Sequence, residues 1–301
     1  MKKIKIALDW TANTNHTGFF VAQDKGFYQE LGLDVTILTP DMDNYQTTPA
    51  KKVELGEADF ALCPMESIIS YQTKTNPFKL IAAATIFKED LSAIAVLRES
   101  GIHSPKDLDG KIYASYQARY EDSIVRQMIK NAGGEGEIKI TYPQKLGIWE
   151  TILQKQTDAT WIFLNWEGVQ AEEKGIDLRL FKMKDYGIPY SYSPVIALGK
   201  ERMSTHLQSY KDFITATKSG FVFAKNNPLE AAELLKKYLT KEDLEYDIVK
   251  IQAYTSAHYA EEKSWGEMDR GEVELFLKWL AENGLESQDL RVENLITDRL
   301  L

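Results

Sequence analysis

Apolar residues alternate with polar ones at the start of the chain, at Ile4, Ile6 and Leu8, and this spacing predicts a strand. A dense polar loop follows, Asp9-Trp10-Thr11-Ala12-Asn13-Thr14-Asn15-His16. Thr17 to Leu31 then reads as a helix that Gly32 can cap, and Val35, Ile37 and Leu38 open a second strand. In open α/β sheets, ligands bind at loops that leave the carboxyl ends of strands, so this loop is a candidate binding segment.

The same rhythm continues. Strands are predicted over 59–63, 80–85, 93–97, 111–115, 138–141, 159–164, 178–181 and 194–198. Helices are predicted over 50–56, 64–74, 121–131, 148–155 and 166–174, with a short helix and turn over 104–110. From about Met203 the pattern is nearly all helical; within 272–283, Val273, Phe276, Leu277 and Leu280 recur at helical spacing. Such alternation predicts an α/β fold with mostly parallel, doubly wound sheets. The simplest layout is two lobes joined by crossings near 88–92 and 185–192. Residues 1–90 and 192–301 would form lobe I, with the helical tail packed back on it. Residues 91–191 would form lobe II, and ligand would sit in a cleft between the two.

A length of 301 residues accommodates two cores. The net charge of −9 argues against a nucleic-acid partner, because phosphate binding needs a basic surface, and against docking to anionic lipid. Cys63 is the single cysteine, which removes an intrachain disulfide framework and any cysteine-based metal cluster. In the apolar run Phe60-Ala61-Leu62-Cys63 it reads as a small core residue. No apolar run approaches the roughly 20 residues of a membrane span. Lys5 and Asp9 interrupt what would be a leader after Met1. The expected location is therefore cytoplasmic if Met1 is the native start, and extracytoplasmic if a leader was removed.

Ala7-Leu8-Asp9-Trp10-Thr11-Ala12-Asn13-Thr14-Asn15-His16-Thr17-Gly18, followed by Lys25-Gly26-Phe27-Tyr28-Gln29-Glu30-Leu31-Gly32, resembles the proteins that handle the thiamine pyrimidine. These are the formylaminopyrimidine-binding proteins of ABC transporters and the related hydroxymethylpyrimidine phosphate synthases. Gly56-Glu57-Ala58-Asp59-Phe60, Leu108-Asp109-Gly110-Lys111-Ile112, Trp166-Glu167-Gly168 and Tyr192-Ser193-Pro194-Val195 extend the likeness over about residues 4–200. The resemblance implies a two-lobed, type II periplasmic-binding-protein fold, a small-molecule aminopyrimidine ligand and a partner ABC permease. The synthase branch carries a lysine for pyridoxal phosphate and, four residues later, a histidine consumed as substrate. Aligned on Asp59-Phe60-Ala61-Leu62, those positions are Cys63 and Ser67, which offer neither a primary amine nor an imidazole. The branch's cysteine-rich motif is replaced by Ile162-Phe163-Leu164-Asn165-Trp166. The resemblance therefore implies a binding protein without a cofactor or catalytic residues. The alternatives are an enzyme of the same fold with altered catalytic residues, or a receptor for another aromatic or sulfonate solute.

The candidate ligand-binding residues are Trp10, Asn13, Asn15, His16, Glu66, Tyr116, Trp166, Glu167, Tyr190 and Tyr192. Trp10 offers an aromatic face to a planar heterocycle, or covers the sheet end. Asn13, Asn15 and His16 offer amide and imidazole groups to a ligand, or serve turn chemistry and helix capping. No metal-ligand spacing surrounds His16. Glu167, after a strand and near a helix start, is either a carboxylate for an exocyclic amine and ring nitrogen or an acid stabilised by the helix dipole. Trp166 beside it stacks or packs. Glu66 is a second polar anchor or an ordinary first-turn acid. Tyr116 and Arg119 precede a predicted helix N-terminus that could receive an anion. Tyr190 and Tyr192 line the cleft or pack the hinge.

Overall fold

The computed structural model describes residues 1–143, 148–287 and 289–301. The chain forms two compact units: Met1–Glu89 with Tyr192–Glu274 and Asp289–Leu301, and Asp90–Ser191 with Leu275–Gln288. The stretch 192–301, expected wholly in the first lobe, is thus divided, because part of the tail packs with the second unit.

In the first unit, β1 (Lys2–Ala7), α1 (Thr17–Asp24), α2 (Phe27–Glu30), β2 (Leu33–Leu38), α3 (Pro49–Glu54), β3 (Phe60–Cys63), α4 (Met65–Thr73) and β4 (Leu80–Thr85) follow in order. The second unit carries β5 (Ser92–Leu97), β6 (Ile112–Ala114), α5 (Glu121–Asn131), β7 (Lys139–Thr141), β8 (Ala159–Phe163), α6 (Val169–Glu173) and β9 (Leu178–Phe181). The chain then returns to the first unit with β10 (Val195–Gly199), α7 (Lys200–Thr205), α8 (Leu207–Asn226), α9 (Pro228–Leu235) and α10 (Ile248–His258). Last come α11 (Arg270–Glu282) and α12 (Val292–Leu295).

Each unit holds one five-stranded sheet among the described residues, ordered β2-β1-β3-β10-β4 and β7-β6-β8-β5-β9. In each sheet four strands run in the same direction, as expected, and one runs against them. β10 runs antiparallel to both β3 and β4, and β5 runs antiparallel to both β8 and β9. Strands buried on both faces, such as β3, β4 and β10, read as continuous apolar runs, and that pattern carries no direction.

Three local expectations change. The helix expected over 17–31 is two helices, broken where Gly26 takes φ +80°, a left-handed conformation that glycine adopts without a Cβ penalty. Residues 148–155 form successive turns instead of a helix; Ile148 and Ile152 still reach the core against Ala95, Ile162 and Ala171. The helix expected over 166–174 begins as a π-turn, Leu164–Gly168, before α6. Gln144–Gly147 and Gln288 lie outside the described residues.

Helix α1, which follows the amino-terminal loop, is seated on α8 by a close glycine approach. A Cβ on Gly220 would lie 2.0 Å from the carbonyl oxygen of Gly18, and one on Gly18 would enter the Phe221 ring. Among the described residues, no helix is long and apolar enough to cross a membrane.

Candidate functional site

Register decides which loops share an edge in each sheet. In the first unit Ala7 pairs with Leu38 and Ala61, and Val195 pairs with Cys63 and Thr85. The loops after β1, β2 and β3 and the segment entering β10 therefore leave one edge of that sheet.

The loop after β1 is built on His16, which is fully buried. Its Nδ1 accepts the backbone N–H of Asn13 at 3.3 Å, so Nε2 carries the proton and donates to Asp9 Oδ1 at 2.7 Å. Asn13 Oδ1 accepts the N–H of Asn15 at 2.8 Å, an Asx-turn, and Asn13 Nδ2 donates to Thr11 O at 3.1 Å. The same loop is tied to α10, where Thr17 Oγ1 donates to Gln252 Oε1 at 2.6 Å and Thr255 Oγ1 to Thr14 Oγ1 at 2.8 Å. The polar groups of Asn13 and His16 are thus spent holding the loop. The Asp9 carboxylate is part-exposed and the Trp10 ring is 38% exposed.

Trp10 meets Tyr45, from the loop after β2, with ring centroids 5.8 Å apart and planes at 59°. Cys63 lies at the end of β3, and burial pushes its thiol up, with the Asp9 and Glu66 carboxylates adding to the effect. Those two acids accordingly lie on the same edge, Asp9 after β1 and Glu66 in the first turn of α4, where it is buried. Tyr192 is buried at the entry to β10. Its carbonyl accepts the N–H of Met65 at 2.9 Å, and its hydroxyl accepts the N–H of Asp269 at 2.7 Å. Burial raises its hydroxyl to about 12.

In the second unit Ala114 pairs with Thr141 and Thr160, and Ser92 with Phe163. The loops after β6 and β8 leave a common edge. Glu167 stands in the π-turn after β8, an irregularity frequent at functional sites, and its Oε2 accepts the Phe163 N–H at 3.1 Å. Desolvation, then the Glu167 carboxylate, then that of Glu121, raise the hydroxyl of Tyr116 well above its ordinary 10.0. Tyr116 and Glu167, from different loops, are thus near enough for the carboxylate to act on the phenol.

The Tyr116 loop is held by Glu121, which the sequence reading did not single out. Glu121 Oε1 accepts the Tyr113 hydroxyl at 2.7 Å and the Tyr116 N–H at 3.0 Å, and Oε2 accepts the Ala118 N–H at 3.3 Å. Burial raises the pKa of this carboxyl, and those donors oppose the rise. Gln117 between them takes φ +62°. Arg119 pairs with Glu286 at 2.6 Å and lies over the Tyr120 ring. Trp166 is buried. Tyr190 packs edge-on against Trp161 and Phe276, with centroids at 5.2 and 5.4 Å.

The profile described as NMT1/THI5 like matches residues 13–231, most of the chain. The chain belongs to the NMT1/THI5-like family. It is 26% identical over 245 residues to the formylaminopyrimidine-binding protein of Halalkalibacterium halodurans, across 81% of this chain and 72% of that one. It is also 26% identical over 236 residues to the 4-amino-5-hydroxymethyl-2-methylpyrimidine phosphate synthase of Legionella pneumophila, across 77% of this chain and 72% of that one. Its fold is that of periplasmic binding proteins. The alkanesulfonate-binding protein SsuA of Xanthomonas axonopodis pv. citri superposes with a TM-score of 0.72 at 12% identity, over 99% of this chain and 98% of SsuA.

Pyridoxal phosphate does not fit the position that the family resemblance implies for it. Cys63 supplies a buried thiol where an imine needs an amine, and Ser67 supplies a hydroxyl in place of an imidazole. Among the described residues no group of three or more His, Cys, Asp or Glu side chains is placed to hold a metal ion.

Proposed function

We propose that this member of the NMT1/THI5-like family is a non-catalytic solute-binding protein for a thiamine-related aminopyrimidine. In this reading the ligand is held by loops at the carboxyl ends of the strands. Glu167 receives the exocyclic amine and shares a proton with a ring nitrogen, the proton resting on the ring or on the carboxyl, and Trp10 takes the ring face. The bound solute passes to an ABC permease outside the cytoplasmic membrane.

The observation that carries the reading is Glu167 in the π-turn at the end of β8, its carboxylate acting on the Tyr116 hydroxyl, in a chain whose relative is a formylaminopyrimidine-binding protein. The acids Asp9, Glu66 and Glu167 also disfavour a sulfonate, which would need cationic partners. Isothermal titration calorimetry with formylaminopyrimidine and hydroxymethylpyrimidine tests it. Saturable one-site binding is expected for at least one of them; no heat with either at millimolar ligand overturns the pyrimidine assignment.

A further inference from the structure

The loop from Thr39 to Tyr45 does something that core packing does not require. Pro40–Asp43 makes a short 3-10 turn, after which Asn44 and Tyr45 take φ +54° and +59° in succession. Asparagine visits this left-handed region routinely, whereas a bulky tyrosine there is an outlier, and such outliers gather at ligand-binding and switch regions. The conformation is enforced from both sides. Tyr45 N–H donates to Pro40 O at 2.9 Å, and Asn44 N–H to Asp41 O at 3.2 Å. The Asp43 carboxylate is ion-paired with Lys52 on α3, and Thr47 and Gln46 N–H groups also stabilise it.

What this turn presents is a ring that stays 55% exposed, set against Trp10 on the neighbouring strand's loop. Rings 5.8 Å apart leave no gap for a third ring between them. At 59° they instead form an open corner, in which a planar ligand laid on one ring meets the other at its edge. Asp9 lies next to this corner in sequence, and its carboxylate is already oriented by His16.

We propose that Tyr45 is a ligand-contacting, specificity-determining residue: with Trp10 it forms an aromatic corner for the heterocycle, aimed by the left-handed turn. This rests on the aminopyrimidine reading above. The ring makes the contact, and the hydroxyl is not needed for it.

The test measures formylaminopyrimidine affinity by calorimetry and the urea midpoint for wild type, Tyr45→Gly, Tyr45→Ala and Tyr45→Phe. Glycine relieves the left-handed backbone as it removes the ring, so Tyr45→Gly is expected to fold with a midpoint close to wild type and to bind about tenfold more weakly. Tyr45→Ala should lose affinity similarly, and Tyr45→Phe should bind within about twofold of wild type. Wild-type binding with unchanged affinity in folded Tyr45→Gly overturns the role of Tyr45 alone. A phenylalanine variant as weak as glycine overturns the ring contact in favour of the hydroxyl. No binding by wild type overturns the aminopyrimidine reading, and this proposal with it.

Discussion

Replacing Glu167 by glutamine separates its charge from its place in the fold. The carboxylate accepts the Phe163 N–H at 3.1 Å, and a glutamine amide oxygen can accept the same bond, so the π-turn after β8 should persist. The negative charge is what disappears. A hydrogen bond to a charged group contributes about 1.5–3 kcal/mol, against about 0.5–1.5 for a neutral pair. Losing that difference on one contact to the ligand amine, about 1.4 kcal/mol, weakens binding about tenfold. Alanine should cost more, because it also strands the Phe163 N–H. A second readout needs no ligand. Glu167 is the second cause, after burial, of the raised Tyr116 hydroxyl. Removing a nearby negative charge makes the phenolate easier to form, so Tyr116 should titrate at lower pH in Glu167→Gln than in wild type. Phenolate absorbance in the variant minus wild type reports this directly. An unchanged tyrosine titration would refute the proximity of the two groups. Formylaminopyrimidine affinity within twofold of wild type would refute the role of the charge.

His16→Ala should destabilise the protein by about 3 kcal/mol, since it removes a hydrogen bond to the Asp9 carboxylate and strands the buried Asn13 N–H; equilibrium urea unfolding checks it, and a loss under about 1 kcal/mol contradicts the framework role. Glu121 binds its proton more tightly folded than unfolded, because its folded pKa is raised above 4.5. Its contribution to stability is therefore fully present below that value and is lost as pH rises through the raised folded pKa. Urea unfolding across that window should show wild type losing stability relative to Glu121→Gln as pH rises; a constant difference refutes the shift.

Much of the local structure was legible in the chain. Alternation at Ile4, Ile6 and Leu8, the apolar runs of β3 and β4, and the helical spacing of Val273, Phe276, Leu277 and Leu280 all lie within single elements. Where the reading failed, the deciding interaction was not local. Ile148 and Ile152 have helical spacing, yet turns also bring them to the same core. The direction of β10 depends on where the chain re-enters its sheet, which no property of its own five apolar residues records.

The candidate site divides in the same way. Asn13 and His16 are visible as polar residues, but the turn bonds they make, an Asx-turn and a tautomer held between Asp9 and a backbone N–H, appear only in the folded loop. Glu121 carried no signal of its own, because the loop it holds is folded over it only in the tertiary structure. Tyr45 carried only the weak signal of the preceding Asp43-Asn44, which favours a turn without saying where the ring goes.

By itself the sequence determined the alternating α/β elements, the family, the polar loop after the first strand and the acid at position 167, because hydrophobic period and short motifs are properties of contiguous residues. Tertiary structure alone decided that Trp10 meets Tyr45 and that Glu167 lies near enough to act on Tyr116. Each of those pairs joins loops from neighbouring strands of one sheet, and strand order and register are set by burial across the whole sheet, beyond the reach of any local pattern.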